Sequence, residues 1–296
     1  MDTLADSATG DDAAFAALRP RLFSIAYRML GVRADAEDVL QDAWLRWREA
    51  DRAALNSQEA WLVTVVTRLA IDRLRAARTE REAYVGWWLP EPLLDVDPRT
   101  PELAAELAGE VSVAFLWVLE RLAPEERAAF LLRQAFDRDY SEIAALLGKS
   151  EAACRQIVHR ASERVREARP RFEVTPAAHR QLLERFVHAA RTGARESMEA
   201  LLADDVQALG DGGGKVPAAA RAIVGAHRYA NLLAVQKRKL GDRLDYRIAD
   251  INGEPGMLGF VDGALVSAHS FVTDGERIVA IFAVLNPDKL AGFTLD

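Results

Sequence analysis

Asp35, Asp38 and Asp42 recur at helical spacing beside an apolar stripe of Val39, Leu40, Ala43, Trp44 and Trp47. Carboxylates next to an aromatic suit pairing with an arginine-rich protein surface. Further along, a stretch that starts apolar at Trp61 ends basic, with Arg68, Arg73, Arg75, Arg78 and Arg81 against only Asp72 and Glu80. Such a face can neutralise phosphates and stack bases. A third group, Arg155, His159, Arg160 and Arg164, projects from one helical face and suits a major groove and its phosphates. The competing reading of each stripe is a solvated helix face. For bond-making chemistry the candidates are Asp211, His227, Asp250 and His269, and no pair at a working spacing, no metal set and no nucleophile motif joins them. Gly212-Gly213-Gly214-Lys215 lacks the upstream glycine and the following Ser/Thr of a phosphate loop, which argues against nucleotide binding.

These groups need particular elements to position them. A first helix is expected over residues 13 to 31, interrupted by Pro20 and stopped at Gly31. A second runs from Asp35 to Ala50, and a third starts after Ser57 and continues to about Glu82. Residues 85 to 110 form an acidic linker whose Pro90, Pro92, Pro98 and Pro101 forbid a continuous helix. Two tryptophans in a tether are costly to leave in water, so Trp87 or Trp88 should pack on something. Residues 111 to 169 read as a second helical domain. Pro124-Glu125-Glu126 opens one helix, and Tyr140 to Arg160 reads as a helix-turn-helix. There Ala144 is small at the crossing, Gly148 serves the turn and Ser150 caps the second helix. Cys154, the single cysteine, is a core residue on this reading and excludes an intrachain disulfide. Beyond residue 171, helices over 176–203 and 226–240 precede three hairpin signals, Asn252-Gly253, Asp262-Gly263 and Asp274-Gly275. They separate strands near 243–251, 256–261, 265–273 and 277–285, an antiparallel meander in an α+β domain with a cone-shaped cavity.

With 296 residues, half hydrophobic and 28% charged, the chain is globular and has room for two or three domains. Its net charge of −7 disfavours free-standing DNA coating and permits a subunit whose DNA contacts matter inside a larger complex. Met1 to Asp12 has neither a basic nor an apolar signal-peptide region, and no run is long and apolar enough to span a bilayer. A cytoplasmic protein with no membrane contact is expected.

Over Leu22 to Glu82 the order and spacing resemble region 2 of bacterial sigma factors of the extracytoplasmic-function type. Tyr140 to Arg160 is similar to sigma region 4. The C-terminal segment resembles the SnoaL-like, ketosteroid-isomerase-type fold. Asp211-Gly-Gly-Gly-Lys215, Asn286-Pro-Asp-Lys-Leu290 and Trp88-Leu-Pro-Glu-Pro92 match phrases of the sigma subgroup that carries this extension. The resemblance implies a multidomain protein with two all-α sigma domains, a region 2 helical bundle (1–84) and a region 4 helix-turn-helix (111–170). Between them lies the linker (85–110), and an α+β cone domain follows (171–296). It implies that Asp38, Gln41, Asp42 and Trp44 dock on the β′ clamp helices of core RNA polymerase, with the β flap as a second polymerase contact. Arg68, Asp72, Arg73, Arg75 and Arg78 would act at the −10 element. Arg68 stands where many relatives carry Asn, so a phosphate role is assigned there. Arg155, His159, Arg160 and Arg164 would act at the −35 element. Trp88, Pro90, Glu91 and Pro92 would join Asp211, Gly212, Gly213, Gly214 and Lys215, and Asn286, Pro287, Asp288, Lys289 and Leu290, in a regulatory contact between domains.

The function expected is therefore promoter-specific transcription initiation controlled in cis by the C-terminal domain, with no catalysis, cofactor or metal. A small molecule in the cone that shifts docked and undocked populations is a second expectation. The rivals are a one-component ligand-responsive repressor, which leaves the acidic helix without a purpose, and an isomerase or cyclase fused to a DNA-binding part.

Overall fold

The computed structural model describes residues 3–94, 111–168 and 174–291, with the side chains of 3–12, 78–80 and 168 left aside. The expected linker residues Asp95, Asp97, Pro98, Arg99 and Pro101 lie outside the described residues. The chain forms two compact units, one containing residues 3–80 and 118–167, the other 81–94, 111–117 and 174–291. Residues 111–117, read from sequence as the start of the second helical domain, thus pack in the second unit.

The first unit is helical. It begins with α1 (Thr3–Leu30), α2 (Arg33–Glu49) and α3 (Gln58–Glu82). Helix α1 packs on α2, and Leu22, Ile25, Ala26 and Met29 of α1, Val39, Leu40, Ala43 and Trp47 of α2 and Leu62, Val66 and Ala70 of α3 are all buried. Pro20 was expected to interrupt α1, yet the helix runs through it. A proline inside a helix removes one N–H and costs about 3 kcal/mol. The largely apolar stretch that follows, Leu22 to Leu30, is buried at every position and offsets that cost. Gly31 ends the helix with φ 68°, the left-handed geometry that glycine accepts.

After α4 (Val113–Leu119), the first unit continues with α5 (Pro124–Gln134), α6 (Tyr140–Leu147) and α7 (Glu151–Ala168). Pro124 sits at the first turn of α5, and the Glu126 carboxylate accepts the Ala123 N–H at 3.2 Å. Gly148 turns at φ 64° and the Ser150 hydroxyl accepts the Ala153 N–H at 3.2 Å, so α6 and α7 form the helix-turn-helix. Cys154, Ile143 and Ile157 are buried between them. Arg127 anchors the unit: 2% exposed, it donates to the carbonyls of Leu119 (2.9 Å) and Met29 (2.6 Å) and to Glu120 (2.6 Å).

In the second unit, α8 (Pro176–Thr192), α9 (Arg195–Ala200) and α10 (Ala226–Leu240) accompany a six-stranded mixed sheet. Its strands are β1 (Leu202–Asp211), β2 (Ile223–Val224), β3 (Leu244–Ile251), β4 (Glu254–Val261), β5 (Ala264–Thr273) and β6 (Ile278–Val284), in the order β2-β1-β6-β5-β4-β3. A short α11 (Pro287–Leu290) follows. The expected meander is β3 to β6, antiparallel throughout. The helix expected to reach residue 203 instead breaks after Thr192 and gives way to β1, which pairs parallel to β6 with a bulge between Leu202 and Gln207.

Both faces of the sheet are covered. Phe186 and Val187 of α8 and Tyr229 and Leu233 of α10 pack on Val206, Tyr246, Met257, Phe271 and Ile281. On the opposite face, Leu89, Trp87, Val113 and Trp117 pack on Leu209, Leu258, Phe260, Ala268 and Phe282. The linker is therefore half of a core. Each apolar side chain of this size contributes roughly 1.5–3 kcal/mol when fully buried.

Candidate functional site

On α2, Gln41 and Asp42 are exposed, Asp38 is 60% exposed, and Trp44 is half-buried with its ring 5.2 Å from that of Phe15. Helical spacing places Asp38, Gln41 and Asp42 on one solvated side. Arg73 of α3 crosses to this surface, donating to Asp35 at 2.6 Å and to Asp38 at 3.1 Å. The Asp35 hydrogen bond and charge raise the Arg73 pKa.

Arg68, Asp72 and Arg75 of the expected basic face are also engaged inside the first unit. Arg68 donates to the carbonyls of Leu146 (3.3 Å) and Ala145 (3.4 Å) at the end of α6. Arg75 reaches Glu125 at 2.6 Å and Asp72 at 3.3 Å. Lys149 also pairs with Glu125 at 3.1 Å, and with Arg75 it holds that carboxyl below its ordinary pKa. The Arg78 side chain lies outside the described residues. On α7, Arg155 pairs with Glu151 at 2.8 Å and lies 5.0 Å over the Tyr140 ring. His159 is 73% exposed with Glu163 at 3.4 Å, Arg160 is exposed, and Arg164 donates to Glu126 at 2.7 Å.

In the second unit the three phrases singled out in the sequence come together around one carboxylate. Asp211, at the end of β1, is 0% exposed. Its Oδ1 accepts the Tyr84 hydroxyl at 2.6 Å and the Gly213 N–H at 3.1 Å. Its Oδ2 accepts the Leu89 N–H at 2.9 Å and the Lys289 ammonium at 2.7 Å. Lys289 also donates to the Leu89 carbonyl and lies 4.2 Å over the Trp88 ring, whose other cationic neighbour is Arg81 at 4.0 Å. A buried charge is tolerable only when paired and hydrogen-bonded, and here both conditions hold. Burial, and then the Asp211 hydrogen bond, pushes the Tyr84 hydroxyl well above the ordinary tyrosine pKa.

The glycines follow from this geometry. Gly213 has φ 59°, and a Cβ there would stand 2.3 Å from the Asn286 side chain; one on Gly212 would stand 2.4 Å from the Val216 carbonyl. Asn286 caps α11 by accepting the Asp288 N–H at 3.1 Å and donates to the Tyr84 hydroxyl at 2.9 Å. Lys215 and Asp288 form an exposed ion pair, Leu290 is buried among the residues that hold the linker, and Pro287 starts α11. Pro90 and Pro92 are buried and Glu91 is half-buried.

Two contributors escape sequence reasoning. Tyr84 gave no signal, being a lone aromatic at the end of a basic helix. Asn252 read only as a turn residue, which its φ of 54° supports. It also accepts the Leu93 N–H at 2.9 Å and donates to the carbonyls of Leu93 (2.8 Å, from its backbone) and Val111 (2.9 Å).

Of the acid–base candidates, Asp211 is committed to Lys289, Asp250 is exposed and paired with Arg180 at 2.6 Å, and His227 is exposed beside Glu199 at 3.3 Å. His269 alone borders a cavity of about 430 Å³ between α10 and the sheet. Its Nδ1 meets the Tyr229 hydroxyl at 3.1 Å and its Nε2 the Ser267 hydroxyl at 2.9 Å, while burial pushes its pKa down to about 4.

Among the described residues no helix is long and apolar enough to cross a membrane. Residues 14–80 match the family model for sigma-70 region 2, and residues 113–165 that for sigma-70 region 4. The ECF RNA polymerase sigma factor SigJ of Mycobacterium tuberculosis (strain H37Rv) is 39% identical over 293 residues, covering 95% of this chain and 93% of its own. The probable ECF RNA polymerase sigma factor SigI of the same species is 30% identical over 283 residues, covering 94% of each chain. The crystal structure of M. tuberculosis SigJ superposes with a TM-score of 0.78 at 36% identity, over 96% of this chain and 99% of that one. The helical sigma domains followed by a SnoaL-like α+β domain are thus the shared architecture. The chain belongs to the extracytoplasmic-function family of RNA polymerase sigma factors, which direct transcription initiation.

Proposed function

We propose that the second unit controls initiation by holding the linker, and that the first unit carries the polymerase and promoter contacts in the cytoplasm. Asp38, Gln41, Asp42 and Trp44 dock on the β′ clamp helices, and the β flap provides the second polymerase contact. Arg68, Asp72, Arg73, Arg75 and Arg78 serve the −10 element, and Arg155, His159, Arg160 and Arg164 the −35 element. Several of these groups are occupied by exposed ion pairs, so binding exchanges Asp35, Glu125 and Glu126 for phosphates. The domain serves control and not catalysis: Asp211 is spent on the linker, and His227 and Asp250 lie on the surface.

The observation that carries the control reading is the Asp211 carboxylate, which takes donors from Tyr84, Leu89 and Lys289. The test is run-off transcription with core RNA polymerase on the protein's own upstream DNA. The wild-type chain should yield a promoter-specific transcript, and Asp42→Arg should lose core binding while keeping its fold. The double variant Asp211→Asn/Lys289→Met removes both buried charges together and should change transcript yield. Equal yield from that variant and the wild type overturns control through the linker, and undiminished core binding by Asp42→Arg overturns the docking assignment.

A further inference from the structure

The cavity between α10 and the sheet is unused by the reading above. Its volume, about 430 Å³, lies within the roughly 300–1,000 Å³ of small-molecule sites. Its walls are mostly aliphatic or aromatic, and among the described residues no Asp, Glu, Lys or Arg lines it. A charged ligand would lose its hydration there without a counter-ion, so the cavity selects against one. Polar atoms converge at two places. On one side His269 is held between the Tyr229 and Ser267 hydroxyls, and each hydroxyl keeps spare hydrogen-bonding capacity. On the other the Tyr246 hydroxyl donates to Gln236 at 3.4 Å, leaving the amide N–H groups of Gln236 available.

One wall of the cavity is continuous with the linker contact. Leu209 and Gly210 line it and lead directly into Asp211, and Leu285 lines it and precedes Asn286. The Leu285 and Asn286 N–H groups both donate to the Asp211 carbonyl, at 2.7 and 2.8 Å. A molecule that spreads these strand ends must move the groups that hold Tyr84 and Leu89.

We infer that the cavity binds an uncharged, largely apolar small molecule bearing a hydroxyl or carbonyl oxygen, and that its occupancy is transmitted to the linker at Leu89. The binding half stands on the cavity alone; its consequence for transcription rests on the control reading.

The experiment uses the full chain and two probes that share a ring framework, neutral N-phenyl-1-naphthylamine and its sulfonated analogue 8-anilinonaphthalene-1-sulfonate. The neutral probe should give saturable fluorescence at one site per chain, with the sulfonate at least about tenfold weaker. Val266→Trp and Leu232→Trp, at cavity-lining positions 38% and 37% exposed, should each weaken the neutral probe about tenfold without lowering the melting temperature. Absence of saturable binding, a sulfonate that binds as tightly, or Trp variants that bind like wild type overturns the site. Amide exchange over 84–93, measured with the probe at saturation, should change at Leu89. Unaltered exchange there overturns the transmission to the linker, and because no polymerase is present this failure is separate from any failure of the control reading.

Discussion

In the helical unit Arg75 reaches Glu125 with the two side chains 55% and 35% exposed, whereas in the second unit Lys289 reaches Asp211 with 9% and 0% exposed. The first pair sits in water, where such contacts contribute about 0–1 kcal/mol and salt weakens them. The second has left water, and its strength depends on every donor being in place. The contrast suits what each unit has to do. On the function proposed above, groups that would trade partners for phosphate should be held loosely, and groups that fix a linker to a domain should not be.

The sharpest way to break this comparison is Lys289→Met, which leaves Asp211 buried without its counter-charge. We expect the second unit to lose about 3–5 kcal/mol in urea denaturation. Asp211→Asn/Lys289→Met should recover most of that loss, because no lone charge remains. A single variant as stable as wild type would place the pair in the same class as Arg75–Glu125.

Acid should also act on the second unit. His269 is buried with a pKa of about 4, below the ordinary 6.5, so between those values the unfolded chain binds a proton that the folded one refuses. The stability owed to this group is present above pH 6.5 and is lost as pH falls toward 4, by roughly 3 kcal/mol in total and roughly 2 kcal/mol by pH 5. Urea midpoints at pH 7 and pH 5 measure it, and His269→Gln should flatten the difference.

The smallest effect belongs to Glu125→Gln. Stability of the helical unit should change by under about 1 kcal/mol at low salt, and by less in high salt. A loss as large as that of Lys289→Met would show that the exposed contacts hold the unit together.

The legible parts of the fold were those with local signals. Asn252-Gly253, Asp262-Gly263 and Asp274-Gly275 place β3 to β6 within two residues of their expected ends, because positive φ at a turn restricts residue type. β1 was missed because Asp204-Asp205 interrupts any strand pattern and because its partner β6 lies far along the chain, a parallel pairing with no hairpin to announce it. In the site, Asp211, Lys289 and Trp88 were singled out through a family phrase and not through their own chemistry. No periodicity says that a carboxylate following a strand will be buried. Tyr84 and Asn252 were invisible for the same reason, since their partners are set by tertiary packing over 127 and 159 residues of separation.

Leu89 and Lys289 are 200 residues apart. At roughly 5–20 residues per second, a ribosome makes the second on the order of 10–40 s after the first. For the first part of that interval none of the strands that Trp87 and Leu89 cover has been made, and the sheet is complete only once β6 (Ile278–Val284) has followed. The nascent sigma unit therefore spends its first moments with an apolar ribbon hanging from α3, a target for chaperones or for another chain. A protein cut after α7 would stay in that newborn condition permanently. Removing the C-terminal strands is then less like trimming a tail than like halting synthesis partway, and the shortened chain carries the solubility burden of an unfinished one.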